Sequence, residues 1–234
     1  MRDLVLRVRS VRRATPSSCI VSLDLDGASF PYRAGQVASL RPEGVGERVP
    51  YSIASAPEET AVDSLLQFLI KIDGSGRWGE HFEPLRRGAR LSLRGPSGSF
   101  VFPDAPSEQR FLFIAGGTGI APLRSMIKHA VATERPGEIA LLYSARTPQD
   151  FAYLPELRRM ARKGELRLST TATREIPQHW RGARGRIAAT QLLPLVDSLE
   201  TLCFVCGPAS MVSDVPPMLQ AVGIDRSRIR LEDW

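Results

Sequence analysis

Phe111-Leu112-Phe113-Ile114-Ala115-Gly116-Gly117-Thr118-Gly119-Ile120-Ala121-Pro122 runs four apolar residues into a glycine-rich turn and then into a new pattern. Beyond it Leu123, Met126, Ile127, Ala130 and Val131 recur at helical spacing and form one apolar face. Pro122 suits a first helical turn, where its missing N–H needs no partner. Strand, turn, helix is the reading. Glycines let backbone N–H groups approach a ligand closely at the positive end of a helix dipole, so the turn points to an anion such as a phosphate. Its spacing is neither the dinucleotide fingerprint nor the P-loop, and read alone it serves equally as a tight connection between packed elements.

Downstream the same rhythm repeats. Apolar strands are predicted at Phe111–Ala115, Ile139–Ser144, Leu166–Thr170 and Leu202–Val205, with helices around Leu123–Ala132, Leu154–Lys163 and Met218–Val222. Continuous apolar strands separated by helices imply a Rossmann-like parallel sheet covered on both faces. In such sheets ligands bind beyond the carboxyl ends of the strands, here Gly116–Gly119, Ser144-Ala145-Arg146, Thr173-Arg174 and Cys206-Gly207-Pro208.

Upstream the period is two. Leu4, Leu6 and Val8 alternate with Val5, Arg7 and Arg9, and Cys19, Val21, Leu23 and Leu25 alternate with a more polar set. Further strands are predicted at Gln36–Leu40, Tyr51–Ala54, Leu65–Ile72 and Ala89–Leu93, divided by turns such as Asp26-Gly27 and Asp73-Gly74. Six short strands with no long helix suggest a small antiparallel Greek-key β-barrel. The polar, proline-containing link Pro103–Glu108 divides a domain of residues 1–104 from one of residues 105–234.

Composition narrows the chemistry. No apolar run is long enough to span a bilayer and the N-terminus lacks a signal-peptide core, so a soluble cytoplasmic protein without membrane contact is expected. Three cysteines cannot supply an iron–sulfur cluster or a structural zinc, and His81, His129 and His179 fit no metal spacing, so no metal is assigned. Of 31 Lys/Arg and 25 Asp/Glu, 17 and 12 fall from residue 110 onward, so the positive excess sits in the C-terminal half. That bias favours an anionic ligand or an acidic partner, while the absence of a basic block or reading motif argues against nucleic acid.

Taken in order, Arg48-Val49-Pro50-Tyr51-Ser52-Ile53-Ala54-Ser55, Gly74-Ser75-Gly76-Arg77-Trp78-Gly79, Gly95–Phe100, Gly116–Pro122, Cys206-Gly207-Pro208 with Met211, and Glu232-Asp233-Trp234 resemble the ferredoxin–NADP reductase superfamily, across nearly the whole chain. The resemblance implies an FAD-binding barrel followed by an NAD(P)-binding domain, and an enzyme passing electrons from NADPH through flavin to a separate carrier such as ferredoxin or flavodoxin, or the reverse. A reductase component of an oxygenase, or a non-catalytic flavin- or nucleotide-binding subunit, is the alternative. Tyr51 would stack on the flavin with Ser52 near its N5, flanked by Ile53 and Ala54. Gly74, Gly76, Arg77, Trp78 and Gly79 would approach the pyrophosphate, and Gly117, Thr118, Gly119, Gly207, Pro208 and Met211 the nicotinamide dinucleotide. Cys206 would lie beside the nicotinamide C4, Glu232 beside the flavin, and Trp234 would cover the flavin face.

Two departures from the family pattern matter. Arg48 stands three residues before Tyr51 where relatives place an Arg two before it, and in a strand that offset aims its side chain at the opposite face unless a bulge intervenes. Gly79 replaces the usual Ser or Thr, which leaves pyrophosphate binding to backbone N–H groups. Cys203 and Cys206 have C-x-x-C spacing, but strand positions i and i+3 face oppositely, so the two thiols should not meet. Arg146, Arg174 and Arg186, with Thr173, resemble the set that holds the coenzyme 2′-phosphate, which favours NADPH; Trp180-Arg181-Gly182 resembles NADH-using relatives as well. The sequence leaves the oligomeric state unknown.

Overall fold

The computed structural model describes residues 1–78, 84–134, 137–174 and 176–233. The chain divides into two compact units: Met1–Phe102 with Arg124–Thr133, and Pro103–Leu123 with the chain from Glu134 onward.

In the first unit β1 (Arg2–Thr15), β2 (Ser18–Asp24), β3 (Val37–Pro42), β4 (Val49–Ser52), β5 (Leu65–Lys71) and β6 (Arg90–Ser97) form one antiparallel sheet in the order β4-β3-β6-β1-β2-β5. A bridge between Ile53 and Phe68 draws the end of β4 toward β5, so the sheet curls into a nearly closed barrel. The predicted alternation explains its inside: Leu6 and Val8 join Val21, Leu23, Phe68, Ile70, Leu91 and Leu93 in one core cluster, while Arg7 and Arg9 face outward. Register shifts after Val8 and Arg13 let the long β1 bend. A short helix, α1 (Pro57–Asp63), sits between β4 and β5. It was invisible in the sequence because seven residues carry too little periodicity.

In the second unit β7 (Arg110–Gly116), β8 (Glu138–Ala145), β9 (Arg167–Ala172), β10 (Ala183–Arg184), β11 (Leu202–Gly207) and β12 (Ile229–Asp233) form a parallel sheet ordered β10-β9-β8-β7-β11-β12. From β7 the chain winds outward to β10 and then returns to place β11 on the other side of β7. The winding therefore reverses at the carboxyl ends of β7 and β11, where ligands of open α/β sheets bind. Every residue of β11 is buried, as a central strand covered on both faces requires.

Helices α2 (Ile120–Ala132), α3 (Leu154–Arg162), α4 (Ala189–Leu192) and α5 (Ala209–Ala221) complete the chain. The sequence predicted only the end of α5, around Met218–Val222, whereas the helix begins at Ala209 and holds Pro216 and Pro217 inside it. The helix runs through them: they remove the donors for the carbonyls of Val212 and Ser213, and Ser213 is exposed, where water can serve instead. No helix among the described residues is long and apolar enough to cross a membrane.

Candidate functional site

In the barrel, β4 pairs with β3 from Leu40↔Val49 to Val37↔Ser52 without a bulge. Val49 and Tyr51 consequently share the face that packs on the core cluster, and Ser52 takes the other. The Tyr51 ring lies 5.8 Å from that of the fully buried Trp78 at 42°. Burial pushes the Tyr51 hydroxyl up to about 12, so it stays protonated at neutral pH. Trp78 therefore backs Tyr51 from inside the barrel. The amides of Ile53 and Ala54 donate to Gln36 O and Gln67 O at 2.9 and 2.7 Å, which fixes the strand's exit.

Arg48 is not brought together with Tyr51. Its Nη2 donates to Asp3 Oδ1 at 3.1 Å on the outer face, and Arg94 Nε holds the same carboxylate at 3.0 Å. Its Nε is buried with no hydrogen-bond partner among the described residues. The glycine-rich turn also differs from expectation. Asp73 Oδ1 accepts from the N–H groups of Ser75 and Arg77, both at 2.9 Å, and the Gly76 N–H donates to Asp73 O at 3.1 Å. These amides, expected to face a pyrophosphate, close an aspartate-capped turn instead. The hydrogen bond from the Ser75 hydroxyl leads in holding the Asp73 carboxyl below its usual range. Arg77 is exposed, Gly74 lies in open space, and Gly79 falls outside the described residues.

In the second unit, the ends of β7 and β11 meet backbone to backbone. A β-carbon on Gly116 would lie 2.8 Å from both Met211 Sδ and Pro208 Cδ, one on Gly119 would collide with the Cys206 carbonyl, and one on Gly207 would come within 3.1 Å of Gly116 Cα. Gly117 has φ +55°, which a bulkier residue adopts only with strain. Glycine is thus needed here for packing. The Tyr143 hydroxyl donates to Gly117 O at 3.0 Å and accepts from the Ala152 N–H at 3.1 Å, so the turn is held from below. Thr118 is half-buried, and its hydroxyl forms no hydrogen bond among the described residues.

Cys206 and Glu232 are register partners across β11 and β12, with Sγ 3.9 Å from Oε2. Burial, reinforced by Glu232, pushes the Cys206 thiol well above its ordinary value, so it stands as a neutral S–H donor. Cys203 belongs to the core cluster on the other face, and its thiol is pushed up to about 12 by burial. All three cysteines are free, and among the described residues no three His, Cys, Asp or Glu side chains gather as a metal site. Trp234 lies outside the described residues.

Backbone bonds link the segments that carry the arginine set. The Arg174 N–H donates to Arg146 O at 2.7 Å, the Thr173 N–H to Ala145 O at 3.0 Å, and the Gly185 N–H, one residue before Arg186, to Ala172 O at 2.8 Å. All three guanidinium groups are exposed, and none forms an ion pair or hydrogen bond among the described residues. The Thr173 hydroxyl makes only a long bond, 3.4 Å, to Ala145 O. Sequence reasoning missed Arg184, which donates to Ile176 O and Pro177 O at 3.3 and 2.9 Å and shapes the loop beside Arg174. It also missed an aromatic ladder: Trp180 stacks on Phe151 at 5.4 Å, and Phe151 meets Tyr143 edge-on at 4.9 Å. Tyr143 ending an apolar strand was the available signal.

A barrel presenting an aromatic strand, joined to a parallel sheet with a glycine turn and a thiol–carboxylate pair at its switch point, defines a nucleotide-linked flavoprotein. Residues 113–216 match the oxidoreductase NAD-binding domain family. The chain is 32% identical over 240 residues to ferredoxin–NADP reductase B of Sorangium cellulosum, covering 97% of this chain and 96% of the relative. It is 34% identical over 209 residues to the glycine betaine monooxygenase reductase subunit of Pseudomonas aeruginosa, covering 87% of this chain but 56% of that longer one. Among solved structures, a cytochrome P450 reductase from Amycolatopsis superposes with a TM-score of 0.85 at 26% identity, over 99% of this chain and 69% of that one. The chain belongs to the ferredoxin–NADP reductase superfamily. It is a flavin-dependent NAD(P)H reductase whose cofactors are FAD and the nicotinamide dinucleotide.

Proposed function

We propose that this reductase draws electrons from NADPH and delivers them singly to a separate, acidic carrier protein of the ferredoxin or flavodoxin kind, in the cytoplasm. The observation that carries the reading is the pairing of Cys206 with Glu232 beside the Gly116–Gly119 turn at the sheet's switch point. Bound flavin supplies the conversion of a two-electron donor into one-electron steps. The chain's own residues do the rest. The glycine turn offers backbone N–H groups at the start of α2 to the coenzyme's phosphates. The Cys206 thiol fills the site with a small neutral group and excludes water from the reacting carbon. Tyr51, backed by Trp78, gives the flavin an aromatic face, and Ser52 supplies a hydroxyl for a proton at its edge.

For the acidic partner the support is a stripe of arginines. Arg7, Arg9 and Arg12 lie exposed along β1, and the Arg86-Arg87 loop joins them through the Gly88 N–H to Val8 O bond of 2.8 Å. None of these five has an acidic partner among the described residues, so the stripe can steer a negatively charged protein. The positive excess of the C-terminal half does not by itself mark a docking face.

A second reading, the reductase component of an oxygenase, is favoured by the similarity to the glycine betaine monooxygenase reductase subunit. Anaerobic addition of NADPH to the purified protein tests the proposal. Bleaching of a flavin spectrum, followed by reduction of added ferredoxin or flavodoxin, is the expected result. Absence of bleaching would leave a non-catalytic binding subunit, and transfer only to an oxygenase would select the second reading.

A further inference from the structure

Arg124, on the second turn of α2, is buried at 4% exposure. A guanidinium in such a place needs full pairing. Its Nη1 donates to Ala54 O at 2.7 Å and to Glu59 Oε2 at 2.9 Å, and its Nη2 donates to Glu59 Oε1 at 3.1 Å. The same carboxylate accepts from the Ala56 N–H at 3.0 Å and lies 3.4 Å from Lys128 Nζ. Burial pushes the Glu59 carboxyl up, but Arg124 outweighs it and holds the group below its ordinary value, so the pair is ionised. Next to it the hydroxyls of Ser125 and Tyr32 both donate to Ser55 O, at 2.7 and 3.0 Å.

Attaching a helix to a barrel needs only apolar side chains. Here α2 instead grips the main-chain carbonyls of residues 54 and 55, two and three positions beyond Ser52. The one residue between, Ile53, is fixed by its bridge to Phe68 and by its N–H to Gln36 O. The chain therefore has no slack between these anchors and the Tyr51-Ser52 pair, and a shift at Ala54 is passed to the strand. We propose that Arg124, paired with Glu59, is a positioning residue for the flavin, fixing the strand that carries Tyr51 and Ser52. This rests on the reading of that strand as the flavin's seat.

Two variants test it in the full chain: Arg124→Lys, which keeps the charge but loses the fork, and the double variant Arg124→Leu/Glu59→Leu, which removes the pair without stranding one buried charge. Melting temperature, flavin absorption band, midpoint potential, NADP⁺ affinity and the single-turnover rate of flavin reduction are read together. Hydrogen exchange over residues 49–56 is followed in flavin-free protein. A misplacement of about 1 Å at reacting groups can lower a rate by ~100-fold. The expected result is folded, flavin-loaded protein with NADP⁺ affinity within about twofold of wild type, a displaced band, faster exchange over residues 49–56, and reduction slowed by about ten- to a hundredfold. Lower melting with wild-type band, potential and rate would make Arg124 a structural bolt and overturn the proposal. Wild-type protein that binds no flavin would instead overturn the reductase reading, and this one with it.

Discussion

Cys206 Sγ lies 3.9 Å from Glu232 Oε2, across the last parallel pairing of the sheet. The thiol is 1% exposed and the carboxylate lies next to it, so the neutral form of the sulfur is favoured twice over. This arrangement does not make a nucleophile, which requires a thiolate. It makes a small, neutral polar group at the end of β11. Cys206→Ala should therefore slow flavin reduction by NADPH by about tenfold or more while nucleotide affinity changes little, since geometry at the reacting atoms is what is lost. Stopped-flow absorbance checks it, and an unchanged rate would return Cys206 to the core.

The buried thiols also set a pH dependence. The Cys203 pKa rises from 9.0 to about 12 on folding, so above pH 9 the unfolded chain sheds a proton that the folded chain keeps. Fewer protons bound in the unfolded state means stability falls as pH rises, by at most about 1.4 kcal/mol per pH unit for each such thiol. The contribution is whole below pH 9 and is lost progressively toward pH 12. Denaturant titrations at stepped pH should show a shallower alkaline decline in Cys203→Ala than in wild type, whatever the baseline cost of the cavity. Parallel slopes would contradict it.

Gly119, in the turn after β7, offers a direct contrast with Gly74 in the barrel. Gly119→Ala would press a methyl into the backbone carbonyl of Cys206, where neither side can yield easily. Overpacking of this kind costs about 1–3 kcal/mol, and it should weaken nucleotide binding without removing the flavin. Gly74→Ala meets nothing within 4 Å and should stay within about 0.5 kcal/mol of wild type. Thermal melts and flavin content of both variants decide the matter.

What the sequence made legible follows from which forces act locally. Phe111–Gly119 could be read because a buried central strand must be apolar throughout and the turn after it needs glycine, both visible residue by residue. Strand parity left the direction of Arg48 open to a bulge, and only the unbroken pairing of β4 with β3 shows that none intervenes. The fate of the Gly74–Arg77 amides was equally hidden. Asp73 competes for them through its own side chain, and only the folded turn shows that it wins. Helix α5 was hidden because Pro216 and Pro217 break the usual rule, tolerated where the released carbonyl of Ser213 meets solvent. Arg124 was hidden for another reason. A cation within an apolar helical pattern looks like surface until its partner, Glu59, arrives from 65 residues away.

Coenzyme preference is where the second unit's charges become measurable. Arg146, Arg174 and Arg186 follow β8, β9 and β10, in segments tied by the backbone bonds of Arg174 to Arg146 and of Gly185 to Ala172, and none has an acidic partner among the described residues. Guanidinium groups gathered near one another repel, and a dianionic phosphate bound among them relieves that repulsion where a ribose hydroxyl does not. A charge-assisted hydrogen bond contributes about 1.5–3 kcal/mol, and exposure reduces each arginine's share toward ~1 kcal/mol. NADPH should accordingly be preferred to NADH. Arg174→Ala should weaken NADPH by about five- to tenfold and leave NADH nearly unchanged. The NADPH preference should also shrink as salt rises from low to physiological ionic strength, because exposed charges are screened over about 10 Å at 0.1 M. Steady-state kinetics of wild type and Arg174→Ala with both coenzymes, at two salt concentrations, measures all three expectations. A parallel loss for both coenzymes, or a wild type that already favours NADH, would place the 2′-phosphate site elsewhere or remove it.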